Sequence, residues 1–314
     1  MRLPIVLRAL VSRSHVRYTL FAWDTPKTFL AVLGALWVPL AVVNFFWHAT
    51  AQKLQGLGWP LVAVAAVATL AARRPVVRTR HRVAGRDVEV AVVVDDLFNT
   101  DGACVISTTT TFDTDPSFVS ENSLQGQLTS RYYDSDVERL DADIERSLAD
   151  RFARVAEPET LCGRRRGKNR RYRVGTVALV RPKGKTFYLL AAMHMNESGN
   201  CETVTLDQIR SAIAELWHYV TRRGEHGWLA MGILGTGHGR INATRAEVAR
   251  EILKSFVAAC SASTFCTRFT LLISPSDFQR HQIDLHELAA YLRYLCRYTP
   301  WEGRTKTGAG TGVA

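Results

Sequence analysis

The sequence predicts an α/β domain, a buried sheet with helices on its faces, preceded by a two-helix transmembrane hairpin. Three observations carry this expectation. Two long uncharged apolar runs stand near the N-terminus, short β-branched runs begin at about residue 84, and apolar stripes at helical spacing lie between those runs. The predicted division is an N-terminal cytoplasmic segment (1–27), the hairpin (28–73), a ligand-binding domain (84–300) and a disordered Gly- and Thr-rich tail (301–314).

The first run, Thr28 to Trp47, has 20 residues without a charge, enough at about 1.5 Å per residue to cross a hydrocarbon core of roughly 30 Å. The second, Leu54 to Ala72, has 19 and stops at Arg73 and Arg74. Trp47 and Trp59 mark the inner ends, Pro39 interrupts the first run and Pro60 opens the second. A cleaved leader does not fit, because the first run starts late and another follows it. A buried helical hairpin in a soluble protein stays open as the alternative, since the second run is Ala-rich.

Charge is distributed unevenly. Of the 40 Lys and Arg residues, 11 precede residue 84 against a single acid, Asp24, whereas the remainder of the chain carries 29 basic against 28 acidic groups. The net charge of +11 therefore belongs to the flanks of the apolar runs, where it orients a hairpin with both ends in the cytoplasm. A nucleic-acid partner is not expected, because such proteins spread basic groups over the folded domain. None of the six cysteines is spaced as CxxC or placed for zinc, so free and mostly buried thiols are expected.

Strands are predicted at Val88 to Val94, Cys104 to Ser107, Val174 to Val180, Thr186 to Met193, Trp228 to Leu234 and Thr267 to Ile273. Helical stripes use Val137, Leu140, Ile144, Leu148 and Phe152; Leu206, Ile209, Ile213, Leu216 and Val220; Val248, Ile252, Phe256 and Cys260; and Leu285, Leu288, Leu292 and Leu295. Thr244 and Asp284 stand where caps of the last two helices belong.

Three segments are candidates for ligand contact. LGTGHGRI, Leu234 to Ile241, follows a strand and precedes a helix, so Gly235, Gly237 and Gly239 can present N–H groups to an anion while His238 or Arg240 adds charge. A tight structural turn explains the same residues, and neither a Walker A loop nor a GxGxxG fingerprint is matched. STTTTFDTD, Ser107 to Asp115, and SENSLQGQ, Ser120 to Gln127, place hydroxyl and amide groups beyond a strand, as a polar ligand site or as Ser/Thr turns. RRRGKNRRYR, Arg164 to Arg173, holds seven cations in ten residues and suits a diphosphate, lipid headgroups or plain solvent. No GxSxG, HExxH or other catalytic constellation occurs, and no metal site is expected.

Two apolar runs followed in order by VDDLFNTDGACVISTTTTFDT, SLQGQL, VGTVALV and LGTGHGR resemble the membrane-anchored Macro-domain ThsA effectors of type II Thoeris anti-phage systems. The resemblance covers nearly the whole chain. It implies a divergent macro fold, a mixed sheet between helices made to hold ADP-ribose, in a multi-pass inner-membrane protein whose soluble domain is cytoplasmic. A partner TIR-domain enzyme would consume NAD to make the activating ligand, an ADP-ribose derivative with histidine-linked ADP-ribose as the expected form. Binding would drive homo-oligomerisation and disruption of the lipid bilayer, stopping the cell; no resident cofactor is implied.

By position, the resemblance assigns Asp96 to the adenine amino group and Thr109, Thr110, Phe112 and Asp113 to the distal ribose. Ser123, Leu124, Gly126 and Gln127 continue that wall, and Gly235, Thr236, Gly237, His238, Gly239 and Arg240 form the diphosphate loop. Two departures matter. Asp95 stands where many macro domains have Gly, and threonines replace the Asn of catalytic ADP-ribosyl hydrolases. The second favours binding over turnover. A membrane-tethered ADP-ribosyl hydrolase is the competing enzyme function, and a membrane anchor that recruits protein through the basic run is a third.

Overall fold

The computed structural model describes residues 24–46, 58–72, 77–161, 167–195, 201–223, 227–235, 241–281 and 283–298. The chain divides into two units, one of residues 1–77 with 284–286 and the other of the remaining residues.

In the first unit, α1 (Asp24–Phe46) and α2 (Gly58–Ala72) pack against each other. The stretch Thr25–Val42 of α1 is long and apolar enough to cross a membrane, and α2 is a shorter apolar helix of 15 residues. Leu30, Trp37, Phe45, Trp59 and Val67 are all more than half exposed. Predicted Trp47 and most of the 1–27 segment lie outside the described residues.

The second unit is built on a seven-stranded mixed sheet. Its strands are β1 (Arg78–Arg82), β2 (Glu89–Val94), β3 (Ala103–Thr109), β6 (Val177–Val180), β7 (Phe187–Met193), β8 (Trp228–Gly232) and β9 (Arg268–Ile273), and a separate hairpin joins β4 (Glu159–Thr160) to β5 (Arg170–Arg171). Spatial order is β1-β2-β9-β8-β3-β7-β6. The five central strands run parallel, and the edges β1 and β6 are antiparallel to their neighbours. Each predicted strand falls on one of these. The strand β1 was not predicted, because its RTRHR sequence has the charge of a membrane flank and no apolar alternation.

Helices cover both faces: α3 (Leu124–Tyr132) packs on β3, α4 (Val137–Ala149) on β6, and α5 (Leu206–Arg223) on β7 and on α6 (Arg245–Ala262). Alternation along β7 shows the layering. Phe187, Leu189 and Ala191 join Leu128, Leu140 and Ile144 on one side, whereas Tyr188 meets Tyr219 of α5 on the other. On that second side Trp217, Phe256, Phe265 and Phe269 form an aromatic cluster with Phe256 stacked on Phe269 at 4.2 Å. Thr244 caps α6 in a reciprocal capping box with Glu247. The short α7 (Pro275–His281) and the terminal α8 (Leu285–Tyr298) follow β9. One residue of a predicted stripe departs from it: Phe152 lies past the end of α4 in the 3-10 turn Arg151–Ala153 and is 61% exposed. Five described cysteines are free, and four of them are buried.

Candidate functional site

Parallel strands deliver their carboxyl ends to one edge of a sheet, which is where α/β folds hold ligands. In this chain β2, β9, β8 and β3 are spatial neighbours, and a cleft of about 840 Å³ opens above their ends. Asp95 and Asp96 enter it just past β2, Ser274 past β9 and Asp277 from α7, Gly232 and Ile233 from the end of β8, and Ser123, Leu124 and Gln127 from the start of α3 after β3.

Asp96, two residues past β2, is extended and caps the 3-10 turn Leu97–Asn99, its Oδ1 accepting from the N–H of Phe98 at 3.1 Å. Its Oδ2 accepts from Nη1 of Arg131 at 2.8 Å. The same guanidinium donates through Nη2 to Oε1 of Gln127 (3.0 Å) and lies over the Phe98 ring, 4.7 Å from its centre. A carboxylate has about four acceptor positions, so Asp96 still has room for a ligand donor. Asp95 turns back, accepting from the N–H of Asp96 at 2.7 Å and from Asn99 Nδ2 at 3.0 Å.

Ser123 caps α3: its Oγ accepts from the N–H of Gly126 at 3.0 Å and donates to the Ser120 carbonyl at 2.6 Å. A side chain at Gly126 would overlap the Ser120 carbonyl and approach Cα of Glu121 within 2.7 Å, so glycine lets the loop close on the helix start. Gln127 Nε2 donates to the Asn122 carbonyl at 3.1 Å, which leaves its amide spanning the rim between Asn122 and Arg131.

The threonine segment has a different position from the one the sequence suggests. Thr110, Phe112 and Asp113 are at most 1% exposed and Thr109 is buried, and none of the four lines the cleft. Phe112 takes a left-handed φ of 51° and packs edge-on against Tyr172 at 5.5 Å. Asp113 accepts from the Thr111 hydroxyl and, at 2.7 Å, from the N–H of Lys168. Gln125 bridges from the Thr108 hydroxyl (2.7 Å) to the Asp113 carbonyl (2.7 Å), and Thr110 Oγ1 lies 3.2 Å from His194 Nδ1. Burial holds the His194 imidazole below its usual pKa. These bonds satisfy each other and make the segment a wall of the core.

Gly235 leaves β8 with φ of 69°, a conformation that favours glycine, and its carbonyl accepts from Arg245 Nη1. A side chain there would strike Ile241. Burial lowers the Arg245 pKa, against the pull of Asp277. Thr236, Gly237, His238, Gly239 and Arg240 lie outside the described residues, as do Arg164, Arg165 and Arg166 of the basic run. The described part of that run is structural: Arg170 and Arg171 form β5, and Lys168 pairs with Asp141.

Sequence reasoning missed Ser274, Asp277 and Arg280. The available signal was SPSD directly after a β-branched strand, a helix-start pattern. Ser274 does cap α7, accepting from the N–H of Asp277 at 3.1 Å and donating to its carboxylate at 2.8 Å. Among the described residues no cluster of three or more metal-ligating side chains occurs.

Fold and cleft together define an α/β domain with a polar site at the carboxyl ends of a mixed sheet. The family model for "Thoeris protein ThsA, Macro domain" matches residues 90–274, more than half of the 314-residue chain, and the chain belongs to that family. Two solved structures are similar, both from Oceanobacillus iheyensis. A macrodomain mutant with ADPR is 10% identical with a TM-score of 0.45, over 68% of this chain and 99% of that one. The macrodomain with ADP is 11% identical with a TM-score of 0.44, over 68% and 97%. No curated protein sequence matches the chain.

Proposed function

We propose that the cleft binds an ADP-ribose derivative and that the chain is a signal-gated membrane effector of the type II Thoeris kind. The observation that carries this reading is the cleft itself. At about 840 Å³ it lies within the range of small-molecule sites, roughly 300–1,000 Å³, and it opens where α/β sheets hold nucleotides. Asp96, with acceptor capacity to spare, is the partner for an exocyclic amino group. Ser123 and Gln127 supply polar contacts to the ribose side, and the glycine segment from Gly235 onward receives the diphosphate.

The chain acts by binding, without turnover. This is supported by the commitment of Thr109, Thr110 and Asp113 to internal hydrogen bonds, which removes them from any ligand in the cleft. The effector sits in the inner membrane through a hairpin of α1 and α2, with the soluble domain in the cytoplasm. The exposed apolar side chains of both helices support that reading. A TIR-domain enzyme makes the ligand, histidine-linked ADP-ribose being the expected form. Two helices cannot enclose an aqueous path, so ligand shifts the protein toward a homo-oligomer by binding that state more tightly, and the oligomer breaches the bilayer.

The test is calorimetric titration of the detergent-solubilised chain with ADP-ribose, paired with dye release from liposomes. A Gly232→Leu side chain would project toward Leu124, whose Cδ1 is 3.4 Å from the new Cβ, and narrow the cleft. It is expected to lower affinity at least tenfold. Unchanged affinity in that variant overturns the site, and dye release that is equal with and without ligand overturns the gating.

A further inference from the structure

A second cavity, of about 490 Å³, shares no lining residue with the cleft. Its walls come from the last turns of α5 (Glu215 to Arg223), from the segment that begins at Arg151, and from Gly175. Four guanidinium groups converge on it, Arg151, Arg154, Arg222 and Arg223, against one lining carboxylate, Glu215. Two of them are neutralised nearby: Arg223 pairs with Asp150 at 2.5 Å and Arg154 with Glu157 at 2.7 Å. Arg151 and Arg222 make no ion pair among the described residues, and the buried Nε of Arg154 has no hydrogen-bond partner.

Basic groups in the last turn of α5 complement its dipole, which accounts for Arg222 and Arg223 but not for the convergence of Arg151 and Arg154 from another element. Phe152 stands at the same place. Its ring lies 4.8 Å beneath the Arg223 guanidinium, which covers one face, and at 61% exposure the rest of the ring stands open beside the cations. Tyr219 lines the same cavity, its phenol pushed up by burial.

We propose that this cavity is a second ligand site for a small phosphorylated molecule bearing an aromatic ring, of which a nucleoside monophosphate is the simplest form. Arg151 and Arg222 receive the phosphate, Arg154 Nε gains the acceptor it lacks, and the base stacks on Phe152. The volume is in the range of small-molecule sites, roughly 300–1,000 Å³. The site stands independently of the ligand assigned to the cleft.

The experiment uses the full chain in detergent, with AMP as the probe, by equilibrium dialysis. In the Gly232→Leu background, where the cleft is narrowed, saturable AMP binding is expected to persist. Adding Arg151→Ser with Arg222→Ser should then weaken it at least threefold, and adding Phe152→Ala should weaken AMP while leaving competition by inorganic phosphate unchanged. All three substituted side chains are exposed, so folding, checked by near-ultraviolet circular dichroism, should be retained. In the otherwise unaltered chain the arginine pair should weaken one class of AMP-binding sites at least threefold, an arm that does not depend on Gly232. Loss of all saturable binding in Gly232→Leu alone, or less than a threefold change from the arginine pair, overturns the second site.

Discussion

Two neighbouring segments, Ser107–Asp115 and Ser120–Gln127, are alike in composition and opposite in fate. Both are short and rich in polar side chains; the first begins in the last residues of β3 and the second follows it. The first turns inward, where its polar atoms bond each other and the chain near Lys168. Apart from Gln125, which bonds inward to Thr108 and the Asp113 carbonyl, the second stays on the rim, where Ser123 caps α3 and Gln127 reaches toward Asn122 and Arg131. Polar composition alone therefore marks where hydrogen bonds will be made, and says nothing about whether the partner is a ligand or the protein itself.

This contrast can be broken by mutation. The largest effect is expected from Phe112→Ala, which empties a fully buried ring site against Tyr172 and should cost about 3–5 kcal/mol, read as a fall in thermal midpoint. Asp113→Ala should follow, at about 3 kcal/mol, because it strands the Thr111 hydroxyl and the Lys168 N–H. Either variant keeping wild-type stability while losing ligand would return the inner segment to the binding site. Gln127→Ala should do the reverse, shifting stability by under about 1 kcal/mol while ADP-ribose affinity falls about fivefold in calorimetry. A ligand affinity that does not move would take the outer segment off the site.

The smallest effect is a pH dependence of the inner segment. Burial depresses the His194 pKa, so below about 6.5 the unfolded chain takes up the proton more readily than the folded one. Its stabilising contribution is therefore full above that pH and is lost as pH drops toward the depressed value. His194→Gln should flatten this slope between pH 7.5 and 5.5 in urea titrations; an equally steep slope would assign it to other groups.

Much of the fold was legible because burial leaves a periodic trace. The β-branched runs at Val88–Val94 and Thr267–Ile273 became adjacent buried strands, and the Val248, Ile252, Phe256 stripe became the inner face of α6. Thr244 was legible as a cap by its place before the stripe, and the structure adds the reciprocal bond from Glu247. The edge strand β1 left no such trace, since arginines alternate with Thr79 and His81 and only pairing with β2 makes it a strand. The cleft was half legible. Of the residues that the resemblance assigns to the ligand, Asp96, Ser123, Leu124 and Gln127 line the cleft, whereas Phe112, at a positive φ, is buried against Tyr172.

The sequence by itself determined the central buried strands and the long amphipathic helices, the uneven charge and the family, since each is written in local pattern or in motif order. Tertiary structure alone decided which polar groups face a ligand. Asp96, Ser123, Gly232 and Asp277 are far apart along the chain and meet only because β9 and β8 insert between β2 and β3. Strand order is set by how the buried faces pack against helices from distant segments, and local pattern carries no record of that choice.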